Sequence, residues 1–228
     1  MGVITIQNAP WKDLVSRWKY LDNTAFDNLW VADHFTHWNK THMTFFECWT
    51  TLCGMACETS RIRIGTAVTN TQWRHPAWLA KQALTVDHMS NGRLDLGLGA
   101  GGSSGLEHSM TGIDRLPPAK RVERFEEYLE IVDQLLRKPV TTYHGKYFHL
   151  DEAIVEPDPV QEPRPPIHIG ANGPRMLRIT ARFANAWNML GDIAVLNETL
   201  EKLKERNALL DEYCIEISRH PGELRRTF

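Results

Sequence analysis

Ile62-Arg63-Ile64-Gly65-Thr66-Ala67-Val68 is a short apolar run closed by Thr69-Asn70, and a similar run stands about one structural unit away on either side. Leu29 to Ala32 (LWVA) is closed by Asp33-His34, and Leu94 to Leu98 (LDLGL) by Gly99-Ala100-Gly101-Gly102. The runs start at residues 29, 62 and 94, that is 33 and 32 residues apart, the length of one strand plus one crossover helix. A chain that counts out such units builds a parallel sheet covered by helices, and in the barrel form active sites collect where the strands end. The polar residues that close these runs are therefore the first place to look for chemistry.

Working outward, Val3 to Ile6 reads as a first strand, followed by a helix whose apolar positions Trp11, Leu14, Val15, Trp18 and Leu21 recur at 3.6-residue spacing behind Asn8 and Pro10. A polar loop over residues 34–42 (HFTHWNKTH) leads to a helix from about Phe45 to Glu58. His75-Pro76 opens another from Ala77 to Met89, and Asn91-Gly92 supplies a left-handed stop. Ser103 to Pro118 reads as loop, Ala119 to Arg137 as a strong helix, and Thr141 to Gln161 as irregular chain with a small hairpin around His144-Gly145. This segment, about 103–161, is expected to form a lid or pocket wall. Ile167 to Gly170 and Trp187 to Leu190 resume the strands, with a helix behind Pro174 between them; Leu196 to Cys214 is a further helix and Leu224 to Phe228 a seventh strand. The expectation is a single α/β domain over 1–228, a TIM-type (β/α)8 barrel without its eighth strand and closing helix. The strand edges so left predict a homodimer or larger assembly.

Composition narrows the function. With 42% hydrophobic and 24% charged residues, net charge −2 and pI near 6.6, the chain has neither the basic face expected for nucleic acid nor a run of like charges. No apolar stretch approaches the ~18 residues that cross a bilayer, and MGVITIQNAPW has no basic leader, so a cytoplasmic protein is expected. Cys48, Cys53, Cys57 and Cys214 are too sparse for a disulfide framework and read as buried, reduced thiols; no metal site is expected.

Gly97-Leu98-Gly99-Ala100-Gly101-Gly102 fits GxGxxG after a strand, yet a dinucleotide-binding unit needs a helix to open within the glycines, and Ser103 to Pro118 offers none. The glycines then mark a turn that a ligand or another backbone approaches closely. Asp33-His34 is the best acid/base candidate, since an imidazole titrates near neutrality and an adjacent carboxylate can orient it; a hydrogen-bonded structural pair is the alternative. His37, His42 and His75 lie on neighbouring loops without the carboxylate or thiol spacing of a metal set. Trp11, Trp18, Trp49 and Trp78 fall on helices and read as core, whereas Trp38, in a polar loop, is free to line a pocket. Ile167 to Arg175 (IHIGANGPR) joins a strand to a helix through glycine, offering either an anion-binding turn or an ordinary connection.

The segments LWVADHF (29–35), RIRIGTAVTNTQWRHPAWLAKQALTVDHMSNGRLDLGLGAG (61–101), RVERFEEYLEIVDQLL (121–136), GKYFHL (145–150) and PPIHIGANGPRMLRITARFANAWN (165–188) resemble the bacterial luciferase-like superfamily, in particular its deazaflavin (coenzyme F420) branch. The resemblance implies a TIM-type barrel that binds a deazaflavin or flavin at the strand ends and transfers a hydride to or from a small organic substrate. Asp-His-Phe at residues 33–35 is typical of the deazaflavin branch, and FMN-using monooxygenases of the superfamily more often carry a Glu-His-His type sequence. FMN-dependent monooxygenation and flavin binding without catalysis remain the rival functions. Under the resemblance His34 stands beside the ring's redox carbon as proton donor or acceptor, Asp33 holds the cofactor, and Trp38 flanks the substrate. Ala67-Val68, in a bulge where the family often has a non-proline cis peptide, presses on the ring's back face, and Asn70 bonds its edge. Gly99 and Gly101 form the approach turn, and Gly170, Ala171, Asn172 and Gly173 hold the phosphate side. Sugar-phosphate dehydrogenases of this branch have an acid where this chain has Gly102, so that substrate is not supported.

Overall fold

In the computed structural model the described residues are 1–39, 42–102, 105–191 and 193–228; Lys40-Thr41 and Ser103-Ser104, which belong to two of the expected loops, lie outside them. The chain forms two compact units, Met1–Pro165 and Pro166–Phe228.

The first unit carries β1 (Gly2–Ile4), α1 (Trp11–Asp22), β2 (Asn28–Val31), α2 (Cys48–Glu58), β3 (Arg63–Thr66), β4 (Thr69–Asn70), α3 (Pro76–Met89) and β5 (Leu94–Gly99). β1, β2, β3 and β5 are hydrogen-bonded in that order, all parallel, and β4 pairs with the far end of β5. All six positions of β5 are buried, as a parallel strand covered on both faces must be. Among the described residues of this unit the strand order does not reverse at Gly97, so the dinucleotide-fold alternative falls. The glycines have another cause: a Cβ on Gly97 would run into the carbonyl oxygen of Thr66, and one on Gly99 would stand 2.5 Å from Cγ2 of Val68.

Three expected element boundaries need correction. The third run is not one strand, because the Ala67-Val68 peptide is cis and divides it into β3 and β4. β1 stops at Ile4 rather than Ile6, and the Gln7 side-chain amide takes the carbonyl of Ala32 at 2.6 Å where the ladder would have continued. The stretch read as loop up to Pro118 contains α4 (Gly105–Thr111), which buries Glu107 and His108 and ends at Gly112 in the left-handed conformation, φ 68°. α5 (Pro118–Leu135) follows, then the expected hairpin, β6 (Thr141–His144) with β7 (His149–Ala153).

In the second unit β8 (Ile167–Gly170), β9 (Ala186–Asn188) and β10 (Arg225–Thr227) are parallel neighbours, joined by α6 (Pro174–Phe183) and α7 (Leu196–Glu216), which pack on each other. Trp18, Trp49 and Trp187 are core residues, but Trp78 is 70% exposed on the outer face of α3 and Trp11 is exposed at the first position of α1, one side against Trp18 and Phe46. Cys48 and Cys214 are buried as expected, while Cys53 is half-buried and Cys57 exposed. No helix among the described residues is long and apolar enough to cross a membrane.

Candidate functional site

The C-terminal ends of β2, β4 and β5 bring side chains from three loops together. Asp33 and His34 follow the end of β2 after Ala32. Asp33 is 6% exposed, and its Oδ2 accepts the main-chain N–H of Asn70 at 2.8 Å, which ties the end of β2 to β4. The guanidinium of Arg74 clasps the same carboxylate through Nη1 to Oδ2 and through Nη2 to Oδ1 at 3.3 Å. Arg74 also reaches Glu47, whose carboxylate caps α2 by accepting the Thr50 N–H at 2.7 Å. Burial pushes the Asp33 carboxyl above the usual range, with Arg74 and the Asn70 N–H pulling it back. The Asp33 carboxylate is thus occupied by protein groups.

His34 is held differently. Its Nδ1 lies 3.2 and 3.1 Å from the two oxygens of Glu107, and Oε1 of Glu107 accepts the Phe35 main-chain N–H at 2.8 Å. Glu107 is 2% exposed, yet the His34 side chain retains 30% exposure, so the imidazole is anchored on one edge and open on the rest. The Trp38 ring lies 5.3 Å from that of His34 and stacks on His37 at 4.7 Å; at 45% exposure it forms an aromatic wall beside the imidazole.

The bulge and the glycine turn complete this group. The Thr66 hydroxyl donates to Gly97 O at 2.7 Å, Thr69 to Thr66 at 2.9 Å, and Thr71 to Gly99 O at 2.9 Å, a buried ladder that clamps the cis Ala67-Val68 step against β5. Ala67 and Val68 themselves are half-exposed. Gly101 has φ 80°, the left-handed region, and a Cβ there would meet Asn70 Oδ1 at 2.5 Å; at Gly102 a Cβ would meet nothing within 4 Å among the described residues. Arg124 of α5 donates to Thr71 O at 2.8 Å and Arg121 to Gly101 O, so the long helix braces the turn from behind.

In the second unit Gly170, Ala171, Asn172 and Gly173 form the turn from β8 into α6. Ala171 O accepts the Trp187 indole N–H at 2.8 Å, and Asn172 O accepts from Arg206 at 2.7 Å. Gly173 starts α6 with no side-chain cap, so the first N–H groups of the helix have no capping side chain there.

His34, Asp33, Trp38, Asn70, Ala67, Val68, Gly99 and Gly101 all lie in the first unit, Asp33, His34, Asn70, Gly99 and Gly101 at or next to strand ends. Sequence reasoning missed Glu107 and Arg74. Glu107 was hidden in a stretch read as loop, and the signal that could have exposed its helix is Gly112, a left-handed stop one residue after Thr111.

Residues 2–225 match the family model described as luciferase-like monooxygenase. The chain is 30% identical over 201 residues to the 5,10-methylenetetrahydromethanopterin reductase of Archaeoglobus fulgidus, covering 88% of this chain and 54% of that protein. It is 28% identical over 169 residues to the F420-dependent glucose-6-phosphate dehydrogenase of Kineococcus radiotolerans, covering 73% and 48%. The structure of the coenzyme F420-dependent tetrahydromethanopterin reductase from Methanopyrus kandleri superposes with a TM-score of 0.80 at 22% identity, over 99% of this chain and 64% of that one. The fold class is thus α/β of the TIM-barrel type. The chain spans about half the length of the curated relatives it matches.

Proposed function

The chain belongs to the luciferase-like monooxygenase family, and from that premise we propose that it is an oxidoreductase that transfers a hydride between a deazaflavin of the F420 type and a small organic substrate. The observation that carries the reading is the His34 imidazole, fixed on its Nδ1 edge and open elsewhere, beside Trp38 at the end of β2. A proton-transfer group needs this combination of a fixed orientation and an accessible second nitrogen. The similarity to an F420-dependent dehydrogenase and to a methylenetetrahydromethanopterin reductase supports hydride chemistry over oxygen insertion.

The residues fit a flat ring. The half-exposed Ala67-Val68 step offers an apolar face, the described residues leave room beside Gly102, and Trp38 bounds one side. When bound, the deazaflavin supplies or takes up the hydride. His34 gives or receives the accompanying proton. Asp33 and Arg74 hold the Asn70 loop in place, so their part in binding is to shape the site, and Asn70 would be the residue to hold the ring's edge. Taken by itself, the uncapped start of α6 with the Gly170–Gly173 turn offers N–H groups of the kind that bind anions.

Absorbance and fluorescence titration of the purified chain with F420 and then FMN tests this reading. The expected result is tighter binding of F420. Tightly held FMN with no measurable F420 affinity would replace it with FMN-dependent monooxygenation.

A further inference from the structure

Glu107 has no role under the family resemblance, yet its carboxylate faces the His34 ring directly. It is almost wholly buried, both its oxygens face Nδ1 of His34, and Oε1 also takes the N–H of Phe35, the next residue along. One group from α4 thus grips both the imidazole and the backbone that carries it. An ionised carboxylate only accepts hydrogen bonds, so the proton shared with His34 resides on Nδ1 whether the ring is neutral or charged. A neutral imidazole protonated at Nδ1 carries its lone pair on Nε2.

We propose that Glu107 is a positioning residue that fixes His34 in the Nδ1–H tautomer and so makes Nε2 the atom through which the ring exchanges a proton. The inference rests on the reading of His34 as the proton-transfer group. A proton taken from a substrate O–H or N–H bond then arrives on Nε2, and the electron pair of the broken bond stays on the substrate atom. The ring becomes an imidazolium whose other N–H faces the Glu107 carboxylate, which balances the new charge. In the reverse direction the same Nε2–H is given back. Phe35 N–H and the imidazole bind one rigid acceptor, so a shift of α4 moves the nitrogen that does the work.

The test compares histidine ring nitrogens by NMR in the ¹⁵N-labelled chain and in its Glu107→Gln and Glu107→Asp forms, with His34→Ala identifying the His34 signals. No ligand is required. At a pH where the ring is neutral, the unsubstituted chain is expected to show a protonated Nδ1 and an unprotonated Nε2. In Glu107→Gln one oxygen still serves the Phe35 N–H while the amide NH₂ turns to Nδ1, which must now accept, so the tautomer reverses. Glu107→Asp keeps the original pattern. Turnover with F420 falls roughly 10²-fold in Glu107→Gln with little change in KM, and the aspartate form recovers part of it. An Nε2–H tautomer in the unsubstituted chain, or the same tautomer before and after Glu107→Gln, overturns the proposal. The first of these needs no variant to fold. Full turnover in His34→Ala would instead remove the proton-transfer role given to His34, and the spectra would still decide whether Glu107 sets the tautomer.

Discussion

At the N-terminal ends of the strands in Met1–Pro165, Asp22 accepts the main-chain N–H groups of Ser60, Arg61 and Ile62 at 2.8, 3.0 and 2.7 Å. Asp87 accepts those of Val160 and Gln161 at 2.9 and 3.1 Å, and Asp95 pairs with Arg63 at 2.7 Å. At the C-terminal ends Asp33 and Glu107 are buried just as deeply and each takes one main-chain N–H, but their other partners are the Arg74 guanidinium and the His34 imidazole, and that imidazole still reaches solvent. The same side-chain chemistry serves two ends. Where a carboxylate fastens backbone amides ahead of a strand, its removal leaves buried donors unpaired and the cost falls on stability. Where it fixes a side chain that remains accessible, the cost falls on whatever that side chain does.

The largest effect that could break this comparison is at His34. His34→Ala is expected to lower turnover by roughly 10²- to 10⁴-fold while F420 affinity changes far less, because a proton-transfer group acts mainly in the transition state. Steady-state rates set against fluorescence titration separate the two, and equal loss of rate and binding would make His34 a structural ligand. Asp33→Asn should show the opposite pattern, weaker F420 binding at nearly unchanged maximal rate. Its carboxylate touches Arg74 and the Asn70 loop rather than the imidazole, so neutralising it loosens the wall of the site.

The other end sharpens the contrast. Asp22→Asn is expected to cost about 1–3 kcal/mol in urea unfolding and to leave F420 affinity alone, since one of the N–H groups loses its acceptor. Its pH dependence carries a definite sign. Burial works to raise the Asp22 carboxyl, but the N–H groups of Ile62, Ser60 and Arg61 outweigh it and hold it below its ordinary value of 3.8. A carboxyl depressed by folding contributes stability above its unfolded value and loses it as the pH falls through the lower, folded one. The unsubstituted chain should therefore lose stability below about pH 4 more steeply than Asp22→Asn. Parallel curves for the two would show that Asp22 is not the clamp its geometry implies.

Much of this division was legible before any coordinates. The apolar runs at 29, 62 and 94 locate β2, β3 and β5, because strands of a helix-covered parallel sheet read as near-continuous apolar runs, even where β2 is half-buried at alternate positions and β5 carries the buried Asp95. Asp33, His34 and Asn70 could be picked out because position at a strand end is a property of the chain itself. Glu107 and Arg74 could not, since their meaning comes from partners 73 and 41 residues away, and nothing local in either residue announces it. The same holds for the glycines: Gly97 belongs to a GxGxxG pattern in sequence, but its cause is the Thr66 carbonyl on the neighbouring strand. Helix α4 was lost because a seven-residue helix has too few turns for apolar periodicity to register, and only its left-handed Gly112 marks the end.

The smallest expected effect concerns two adjacent glycines that sequence alone cannot tell apart. Gly101 has positive φ and sits against Asn70 Oδ1 and the Gln72 amide, so Gly101→Ala should cost about 1–3 kcal/mol through backbone strain and crowding together. Gly102→Ala meets nothing within 4 Å among the described residues, and its unfolding free energy should stay within about 0.5 kcal/mol of the parent. Open space beside a constrained turn is what a ligand would use, and an added methyl group there intrudes on the ligand rather than on the protein. F420 affinity is accordingly expected to fall several-fold in Gly102→Ala at unchanged melting temperature. If thermal unfolding and titration both leave Gly102→Ala indistinguishable from the parent, the ligand does not lie against this turn. Gly97 and Gly99 would then be explained by the approach of β3 and the Ala67-Val68 bulge to β5, and Gly101 by its positive φ and the Asn70 and Gln72 side chains.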